Sequence, residues 1–363
     1  MKGCKVCGSE RISQSLSVCL ECLRKRPGSI EIVRERRERW RTSTGLPPYP
    51  PRGGKLRCPL CVNGCELDEG DRGYCGTVIN RNGLRPLTGS WNLAIGLYYL
   101  DPLPTNCVAT PVCPAATCRG YPEFTDVCGP EIGRYNLAIF YGSCNLDCFF
   151  CQNAEHKRMA SMGRSLMSLS SLLREALRND VTCICAFGGD PSPWTPQLFS
   201  LYRKVRDAAP SIKRMCWETN GLQDPEIFLK MAEASLESGG IVKVDLKAWT
   251  SEVYEALTGV RGRDRVVRNL REASKLAKMR NDPPLIVVST LMVPYYIDLR
   301  EIESIADFLS SLDADIPYVL LAFHPEHLAR DLPLTTREFA EEAVKVAEES
   351  GLEVYIGNEW LLS

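Results

Sequence analysis

The chain has 363 residues, of which 44% are hydrophobic and 25% are charged, and a net charge of −1 at pH 7. This near-neutral charge gives no general attraction to nucleic acid, and the longest apolar runs are too short to span a membrane. Because the chain has 18 Cys, three His and no apolar signal segment at its start, we expect a cytoplasmic protein that binds metals through sulfur in a reducing, anaerobic cytosol, rather than a disulfide-bonded one.

The N-terminal segment contains two Cys-x2-Cys pairs, Cys4 with Cys7 and Cys19 with Cys22. A segment this short cannot build its own hydrophobic core, and two such pairs predict a four-thiolate zinc ribbon. An iron centre with the same four ligands is the alternative. The ribbon serves either as a docking module or as a folded cap.

A highly charged helix is predicted over residues 30–41, where Glu and Arg alternate at helical spacing. We expect a solvated helix rather than a nucleic-acid patch. The proline-rich residues 46–51 then form an extended linker. We therefore place a first domain, the zinc-ribbon-like module with its charged helix, at residues 1–43.

Two further groups of cysteines follow in residues 44–134, which we interpret as an accessory metal segment. The spacing of the first group predicts an iron–sulfur or zinc site. The second group has wider gaps, so it forms either another metal site or separate thiols in a loop-rich segment. The first group is Cys58, Cys61, Cys65 and Cys75, and the second is Cys107, Cys113, Cys118 and Cys128.

From residue 135 onward, apolar strands alternate with amphipathic helices, which predicts a parallel sheet covered by helices. The fold class is therefore α/β, a partial or full TIM-type barrel at residues 135–363 that follows a Cys-rich extension. The predicted strands are 136–142, 183–187, 214–219, 241–246, 285–293, 318–323 and 352–356. The predicted helices are 169–177, 197–208, 225–237, 266–279, 298–312 and 337–348.

Three cysteines, Cys144, Cys148 and Cys151, follow the first predicted barrel strand in a Cys-x3-Cys-x2-Cys spacing. Thiolates this close can bind three irons of a cubane cluster and leave the fourth iron open to a ligand. The alternative is half of a zinc site completed by His156 or a distant Cys.

Polar residues follow the other predicted strands, at the barrel rim where chemistry collects. Two glycines allow a ligand to approach the backbone closely, and an acid and a base two residues apart on a strand share one face. These residues are Gly188, Gly189 and Asp190, then Glu218 and Asn220, then Asp245 and Lys247, and finally His324.

The cysteine triplet with Phe149 and Phe150 before Cys151 resembles the signature of the radical S-adenosylmethionine (SAM) enzymes. The strings 151–153, 218–221 and 287–295 are similar to those of the glycyl-radical-enzyme activating-enzyme branch, as is the first group of cysteines in residues 44–134. Gly188-Gly189-Asp190 is similar to a Gly-Gly-Glu-Pro motif that holds the SAM amino group, with Asp in place of Glu.

This resemblance implies a [4Fe–4S] cluster on the triplet whose open iron chelates SAM. An electron from a ferredoxin- or flavodoxin-like donor then cleaves SAM to give a 5′-deoxyadenosyl radical, which abstracts hydrogen from a protein or peptide substrate. The resemblance also implies that Lys247 meets the SAM carboxylate, that Asp245 meets a ribose or ammonium group, and that Glu218, Asn220 and His324 line the SAM site.

Two other functions remain open at this point. The first is a cobalamin-dependent radical SAM methyltransferase that modifies a protein residue, although no Asp-x-His-x-x-Gly cobalamin motif is found. The second is a non-catalytic iron–sulfur or zinc electron carrier or adaptor. A carrier has no need for the ordered polar residues at the strand ends, so we favour the enzyme.

Overall fold

The computed structural model describes residues 3–209 and 211–363, so Met1 and Lys2 of the predicted first domain lie outside the described residues, as does Pro210. Among the described helices, none has the combination of length and apolar character that a membrane crossing requires. The helices are α1 (Leu20–Lys25), α2 (Ser29–Ser43), α3 (Glu155–Met162), α4 (Leu169–Ala176), α5 (Thr195–Ala208), α6 (Pro225–Ser238), α7 (Ser251–Thr258), α8 (Arg263–Ala277), α9 (Leu299–Leu312) and α10 (Arg337–Glu348).

Most of the strands belong to one large sheet, while β1 with β2 and β3 with β4 form two small antiparallel pairs. The strands are β1 (Leu56–Arg57), β2 (Glu66–Leu67), β3 (Val78–Asn80), β4 (Leu84–Pro86), β5 (Leu93–Pro102), β6 (Tyr135–Tyr141), β7 (Leu166–Ser168), β8 (Val181–Gly188), β9 (Arg214–Thr219), β10 (Val242–Asp245), β11 (Ile286–Leu291), β12 (Tyr318–Leu321) and β13 (Val354–Gly357).

The large sheet has nine strands within the described residues, in the order β13-β12-β11-β10-β9-β8-β6-β5-β7. All neighbours from β13 to β6 pair in parallel, whereas β5 pairs antiparallel with both β6 and β7. The sheet order confirms the predicted parallel α/β fold in its partial-barrel form. Because parallel strands share one direction, the loops after β6 and β8–β12 meet at one rim.

Strand burial and helix capping explain why these segments form. Every residue of β11 is buried, as expected for a strand that is covered on both faces of a parallel sheet. Several helices begin at a side chain that accepts a hydrogen bond from a backbone N–H of the first turn. These capping residues are Ser168 for α4, Asp224 for α6, Asp298 for α9 and Thr336 for α10.

Helix α2 matches the predicted charged helix and has a solvated face, and it also has a buried face that the sequence analysis did not predict. Arg37 and Arg41 are 3% and 2% exposed, while Glu35, Glu38 and Arg39 on the other faces are exposed. The two buried arginines are four residues apart and therefore lie on one face of the helix. That face is directed at the barrel.

Residues 103–116, which we call the lumen segment, pack against the concave side of the sheet. Ala109 and Val112 contact a group of buried apolar side chains from three barrel strands or their starts. Those side chains are Ile241, Val287 and Val319. The barrel lumen is therefore filled by a segment that precedes the barrel in the sequence.

The cysteines 107, 113, 118 and 128 do not form the predicted four-thiolate metal site. Cys118 and Cys128 are joined by a disulfide, with their Cα atoms 4.2 Å apart, whereas Cys107 and Cys113 lie on the lumen segment. The general expectation against disulfides is wrong at this position. The turn-rich loop between Cys118 and Cys128 brings its two ends within disulfide distance.

A buried ion pair fastens this loop to the barrel. Glu131 is 1% exposed and accepts hydrogen bonds from Arg214 Nη1 at 2.9 Å and from Thr125 Oγ1 at 2.7 Å. Burial would raise the pKa of Glu131, but the Arg214 guanidinium holds this pKa below its usual value. The pair therefore stays charged in a region with little water.

Replacing Glu131 with Gln should destabilise the protein by about 3–5 kcal/mol, because Arg214 would become a buried charge without its counter-ion. Anaerobic urea unfolding of the full chain measures this change. The matched control is Asp126→Asn, which removes an ion pair with Arg134 in which Asp126 is largely exposed, and it should have little effect. Equal effects of the two substitutions would contradict the assignment.

Candidate functional site

A cavity of about 870 Å³ opens at the rim where the parallel strands end. Its wall combines thiols, glycine backbone and charged side chains from successive strand ends, together with part of the lumen segment and the C-terminal residues 355–360. The predicted site residues on the wall are Cys144, Cys148, Cys151, Gly188, Gly189, Asp190, Glu218, Asn220, Asp245 and Lys247. The structure thus brings together residues that are spread over about a hundred positions.

The three cysteines of the triplet lie on a loop after β6, at residues 142–153, which we call the cysteine loop. Among the described residues, Cys4, Cys7, Cys19 and Cys22 form the group whose ligand atoms all lie within 4.8 Å of one another, and the triplet does not meet that limit. A single zinc ion needs four ligands at about 2.3 Å, whereas each thiolate of a cubane binds a different iron. The wider spacing fits an iron–sulfur cluster.

Burial keeps the thiols of the cysteine loop protonated. It raises the pKa of Cys144 and Cys151, and it raises the pKa of Cys148 to about 11 although the Lys247 ammonium acts in the opposite direction. A metal must displace these protons, so metal binding to the site should weaken as the pH falls.

The glycine pair allows the loop after β8 to pass against the cysteine loop. A Cβ on Gly189 would lie 2.0 Å from the carbonyl oxygen of Ser143, and Gly188 has a φ of +108°, which side chains rarely adopt. The Asp190 N–H donates to the same Ser143 oxygen at 2.8 Å. The two glycines are therefore required for close packing and also present backbone to the cavity.

The Asp190 carboxylate is directed into the protein, where it organises the loop after β9. It accepts hydrogen bonds from Thr219 Oγ1 at 2.9 Å and from the N–H groups of Asn220 and Ser192 at 2.8 Å. Burial raises the pKa of Asp190 although these donors lower it. Asp190 therefore positions neighbouring residues, and its side chain does not take the cofactor-binding orientation that the sequence suggested.

Asn220 connects the loop after β9 to the cysteine loop. Its Nδ2 donates to Asn145 Oδ1 at 2.7 Å and lies 3.8 Å from the sulfur of Cys144. Asn145 is fully buried, and its own Nδ2 donates to Ser192 Oγ at 3.1 Å. This chain of amides fixes the direction of the first thiol.

Asp245, the last residue of β10, and Lys247, two residues beyond the strand, form an ion pair on the cavity wall. Burial would lower the pKa of Lys247, but Asp245 and Cys148 hold it above its usual value. The side chains of both residues remain partly exposed to the cavity. The pair can therefore offer an ammonium and a carboxylate to a ligand.

His324, which the resemblance places in the SAM site, is not among the residues on the wall of this cavity. Its side chain is 44% exposed and its Nδ1 lies 3.2 Å from Glu326 Oε1, because the chain turns outward after β12. His156, at the start of α3, lines the cavity instead. Burial lowers the pKa of His156 strongly, so its ring is neutral.

The sequence analysis missed the buried carboxylate of Asp147 between Cys144 and Cys148. Lys157 pairs with it, Arg41 Nη1 lies 3.2 Å from its Oδ1, and Trp40 Nε1 donates to its Oδ2. Arg37 Nη1 also donates to the backbone oxygen of Asp147 at 3.1 Å. Burial would raise the pKa of Asp147, but Lys157, Arg41 and Arg37 hold it far below its usual value.

The group Cys58, Cys61, Cys65 and Cys75 adjoins the other side of the cysteine loop. Ser143 Oγ donates to the Cys75 carbonyl at 3.1 Å, and Asn63 Nδ2 donates to the Asn145 carbonyl at 2.7 Å. Among the described residues, these thiols also do not reach the 4.8 Å separation of the ribbon group.

The ribbon cysteines 4, 7, 19 and 22 come together as predicted. The sulfurs of Cys7 and Cys19 are 3.6 Å apart, close to the roughly 3.8 Å separation expected for tetrahedral zinc with Zn–S bonds of about 2.3 Å. The Cys19 N–H donates to the Cys4 sulfur at 3.4 Å. This geometry is consistent with a zinc-ribbon-like module that can hold one metal ion.

Replacing Asp147 with Asn should destabilise the protein by about 3–5 kcal/mol, because buried cations would lose their counter-ion. The cysteine loop of this variant should also retain less iron than that of the wild type. Anaerobic urea unfolding and iron analysis measure the two effects. The control is Glu252→Gln, which removes an exposed ion pair with Arg261 and should change neither.

The pH dependence of the Asp147 variant has a definite sign. Because folding lowers the pKa of Asp147, its stabilising effect is complete above its unfolded pKa of about 3.9 and is lost as the pH falls below that value. The stability difference between wild type and Asp147→Asn should therefore shrink below about pH 4. A difference that grows on acidification would contradict the charge assignment.

Comparison with known proteins agrees with this site. Residues 138–309 match the family model described as the radical SAM superfamily. A protein named "Probable GTP 3',8-cyclase" from Metallosphaera sedula is 29% identical over 36% of this chain and 39% of its own length. The chain thus spans about two fifths of that relative.

A longer match is to an uncharacterized protein of Methanocaldococcus jannaschii, 24% identical over 84% of this chain and 81% of the relative. Among solved structures, Streptococcus suis SuiB bound to the precursor peptide SuiA is similar, with a TM-score of 0.46 and 15% identity. That match covers 59% of this chain and 46% of SuiB. The matched residues contain the cysteine triplet and the strand ends β6–β11, so residues 138–309 form a radical SAM domain.

Proposed function

We propose that this protein cleaves S-adenosylmethionine reductively at a [4Fe–4S] cluster on Cys144, Cys148 and Cys151 and uses the resulting radical to abstract hydrogen from a protein or peptide. One observation carries the proposal. The three widely spaced thiols, the glycine pair and the Asp245–Lys247 pair line a single 870 Å³ cavity at the strand ends. The radical SAM domain supplies the cofactor class.

A cluster held by Cys144, Cys148 and Cys151 would supply one electron for the reductive cleavage of SAM. The residues of the chain would orient this chemistry. The backbone at Gly188 and Gly189 would hold the amino group of SAM, and Lys247 would hold its carboxylate. Glu218 and Asp245 lie farther along the wall and suit the ribose and the substrate side.

The cavity mouth favours a large substrate. It opens between the lumen segment and residues 355–360, and Trp360 at its rim is 69% exposed. An exposed indole beside an open mouth suits a peptide chain. The resemblance to activating enzymes supports the same substrate class.

The accessory thiols suggest a route for the electron. The group Cys58, Cys61, Cys65 and Cys75 contacts the cysteine loop through Ser143 and Asn145. We infer that a second cluster there passes electrons from a ferredoxin- or flavodoxin-like donor. The N-terminal ribbon then serves as the docking module.

Replacing Cys151 with Ala should abolish formation of 5′-deoxyadenosine, because the cluster loses one of its three protein ligands. The assay is anaerobic, with dithionite and SAM added to the reconstituted full chain. The control is the double variant Cys118→Ala and Cys128→Ala, which removes a disulfide away from the cavity and should keep activity. Undiminished 5′-deoxyadenosine from the Cys151 variant would refute the cluster assignment.

Replacing Lys247 with Met should raise the Kd for SAM about tenfold or more, equivalent to about 1.4 kcal/mol, because the SAM carboxylate loses its counter-ion. Equilibrium dialysis of labelled SAM measures this. The exposed Lys278→Met is the control and should leave the Kd unchanged. The double variant Asp245→Asn with Lys247→Met separates this loss from the effect of an unpaired Asp245.

The substrate class has its own test. Incubation of a peptide library with deuterated SAM should place deuterium in a peptide. Incubation of deuterated peptides with unlabelled SAM should place deuterium in 5′-deoxyadenosine. Turnover of a nucleotide instead of a peptide would contradict the peptide substrate and would favour a reaction like that in the names of the cyclase relatives. If cobalamin co-purifies and a methyl group is transferred to a protein, the methyltransferase function would replace the proposed hydrogen abstraction.

A further inference from the structure

A second cavity of about 110 Å³ lies inside the barrel, between the lumen segment and the strands β8 and β9. Thiols dominate its chemistry, although they come from positions more than a hundred residues apart. The five thiols on its wall belong to Cys107, Cys113, Cys183, Cys185 and Cys216. We call this the thiol cavity.

The strand geometry brings these thiols together. Cys183 and Cys185 are two residues apart on β8 and so share its concave face. Cys185 lies directly beside Cys216 of β9 in the parallel register. Cys107 and Cys113 approach from the lumen segment, so three parts of the chain contribute sulfur to one space.

A buried ammonium lies among the thiols. Lys243 is 4% exposed, and its Nζ is 3.2 Å from the sulfur of Cys107 and 3.1 Å from that of Cys185. Glu218 Oε1 is also 3.1 Å from Nζ. A buried cation is costly beside apolar groups, and here the Glu218 carboxylate and two sulfurs surround it.

A buried guanidinium faces a third thiol. Arg214 Nε and Nη2 lie 3.3 and 3.2 Å from the sulfur of Cys183. Glu131 binds the other edge of the same guanidinium and so holds it in this direction. The Lys243 ammonium therefore lines the thiol cavity, and the Arg214 guanidinium lies behind it against the Cys183 sulfur.

We propose that the thiol cavity holds an iron–sulfur cluster ligated by four of its five thiols, which belong to Cys107, Cys113, Cys183, Cys185 and Cys216. The donors are numerous enough to complete a four-thiolate ligand set. Lys243 and Arg214 offset the negative charge of a thiolate cluster. This site does not depend on SAM chemistry at the cysteine loop.

The thiols of this cavity are not grouped as tightly as those of the ribbon. Among the described residues, no three of these five sulfurs form a group within 4.8 Å, unlike the ribbon thiols. A tetrahedral zinc ion would need sulfurs about 3.8 Å apart. The cavity also exceeds the roughly 10–15 Å³ that one water-sized body requires, so it has room for a group of several atoms.

The thiol cavity adjoins the larger cavity. Both are lined by Cys107, Glu218 and Lys243, which stand at their boundary. A cluster here would face the reaction cavity from inside the barrel. The group Cys58, Cys61, Cys65 and Cys75 instead adjoins the cysteine loop from outside.

The test compares iron and sulfide content of the anaerobically reconstituted full chain with that of a strand variant, Cys183→Ser, Cys185→Ser and Cys216→Ser. Two remaining thiols cannot hold a cluster, so the variant should lose about two or four irons with an equal number of sulfides. The EPR signal of the other cluster that responds to SAM should persist. The control, Cys118→Ser with Cys128→Ser, should keep the full content.

A second variant covers the case in which the strand variant does not fold. Cys107→Ser with Cys113→Ser alters the lumen segment and leaves the sheet intact, so it should lose the same cluster or change its Mössbauer signature. Unchanged iron, sulfide and spectra in this variant would overturn the proposal. Loss of zinc without sulfide would overturn it as well. Persistence of the SAM-responsive signal in Cys151→Ala would contradict the proposed function and would leave the cluster in the thiol cavity supported.

Discussion

The carboxylate of Asp147 is the point on which the site depends. It sits between two thiols of the cysteine loop and is surrounded by Lys157 and by Arg37 and Arg41 of the N-terminal helix. A buried charge of this kind is stable only when its partners are complete. The N-terminal extension is therefore part of the architecture that holds the cysteine loop, and the barrel strands do not hold this loop by themselves.

A second constraint is close packing at the ends of neighbouring strands. Gly189 has no room for a side chain against Ser143, and Asp190 uses its carboxylate to hold Thr219 and Asn220. The loops after β6, β8 and β9 thus form one hydrogen-bonded unit. Since each loop fixes the next, the thiols and the charged pair at Lys247 keep their positions around an open cavity.

The lumen segment gives the barrel a distinct interior. It fills the concave face with Ala109 and Val112 and carries Cys107 and Cys113 to the thiols of β8 and β9. The buried cations Lys243 and Arg214 then face sulfur rather than water. Two adjoining cavities of different chemistry result, one at the rim with the cysteine loop and one beside it that is lined by the thiols of the lumen segment, β8 and β9.

Apolar strands that alternate with amphipathic helices determined the fold class and the approximate bounds of all the parallel strands, because these patterns are local. Spacing likewise determined the ribbon and the triplet, since their ligands are close in sequence. Tertiary structure decided the outward position of His324, the inward direction of Asp190, the Cys118–Cys128 disulfide and the burial of Arg37 and Arg41. It also decided the thiol cavity. Each of these depends on partners that are distant in sequence or on the path of a turn, and neither composition nor periodicity encodes such contacts.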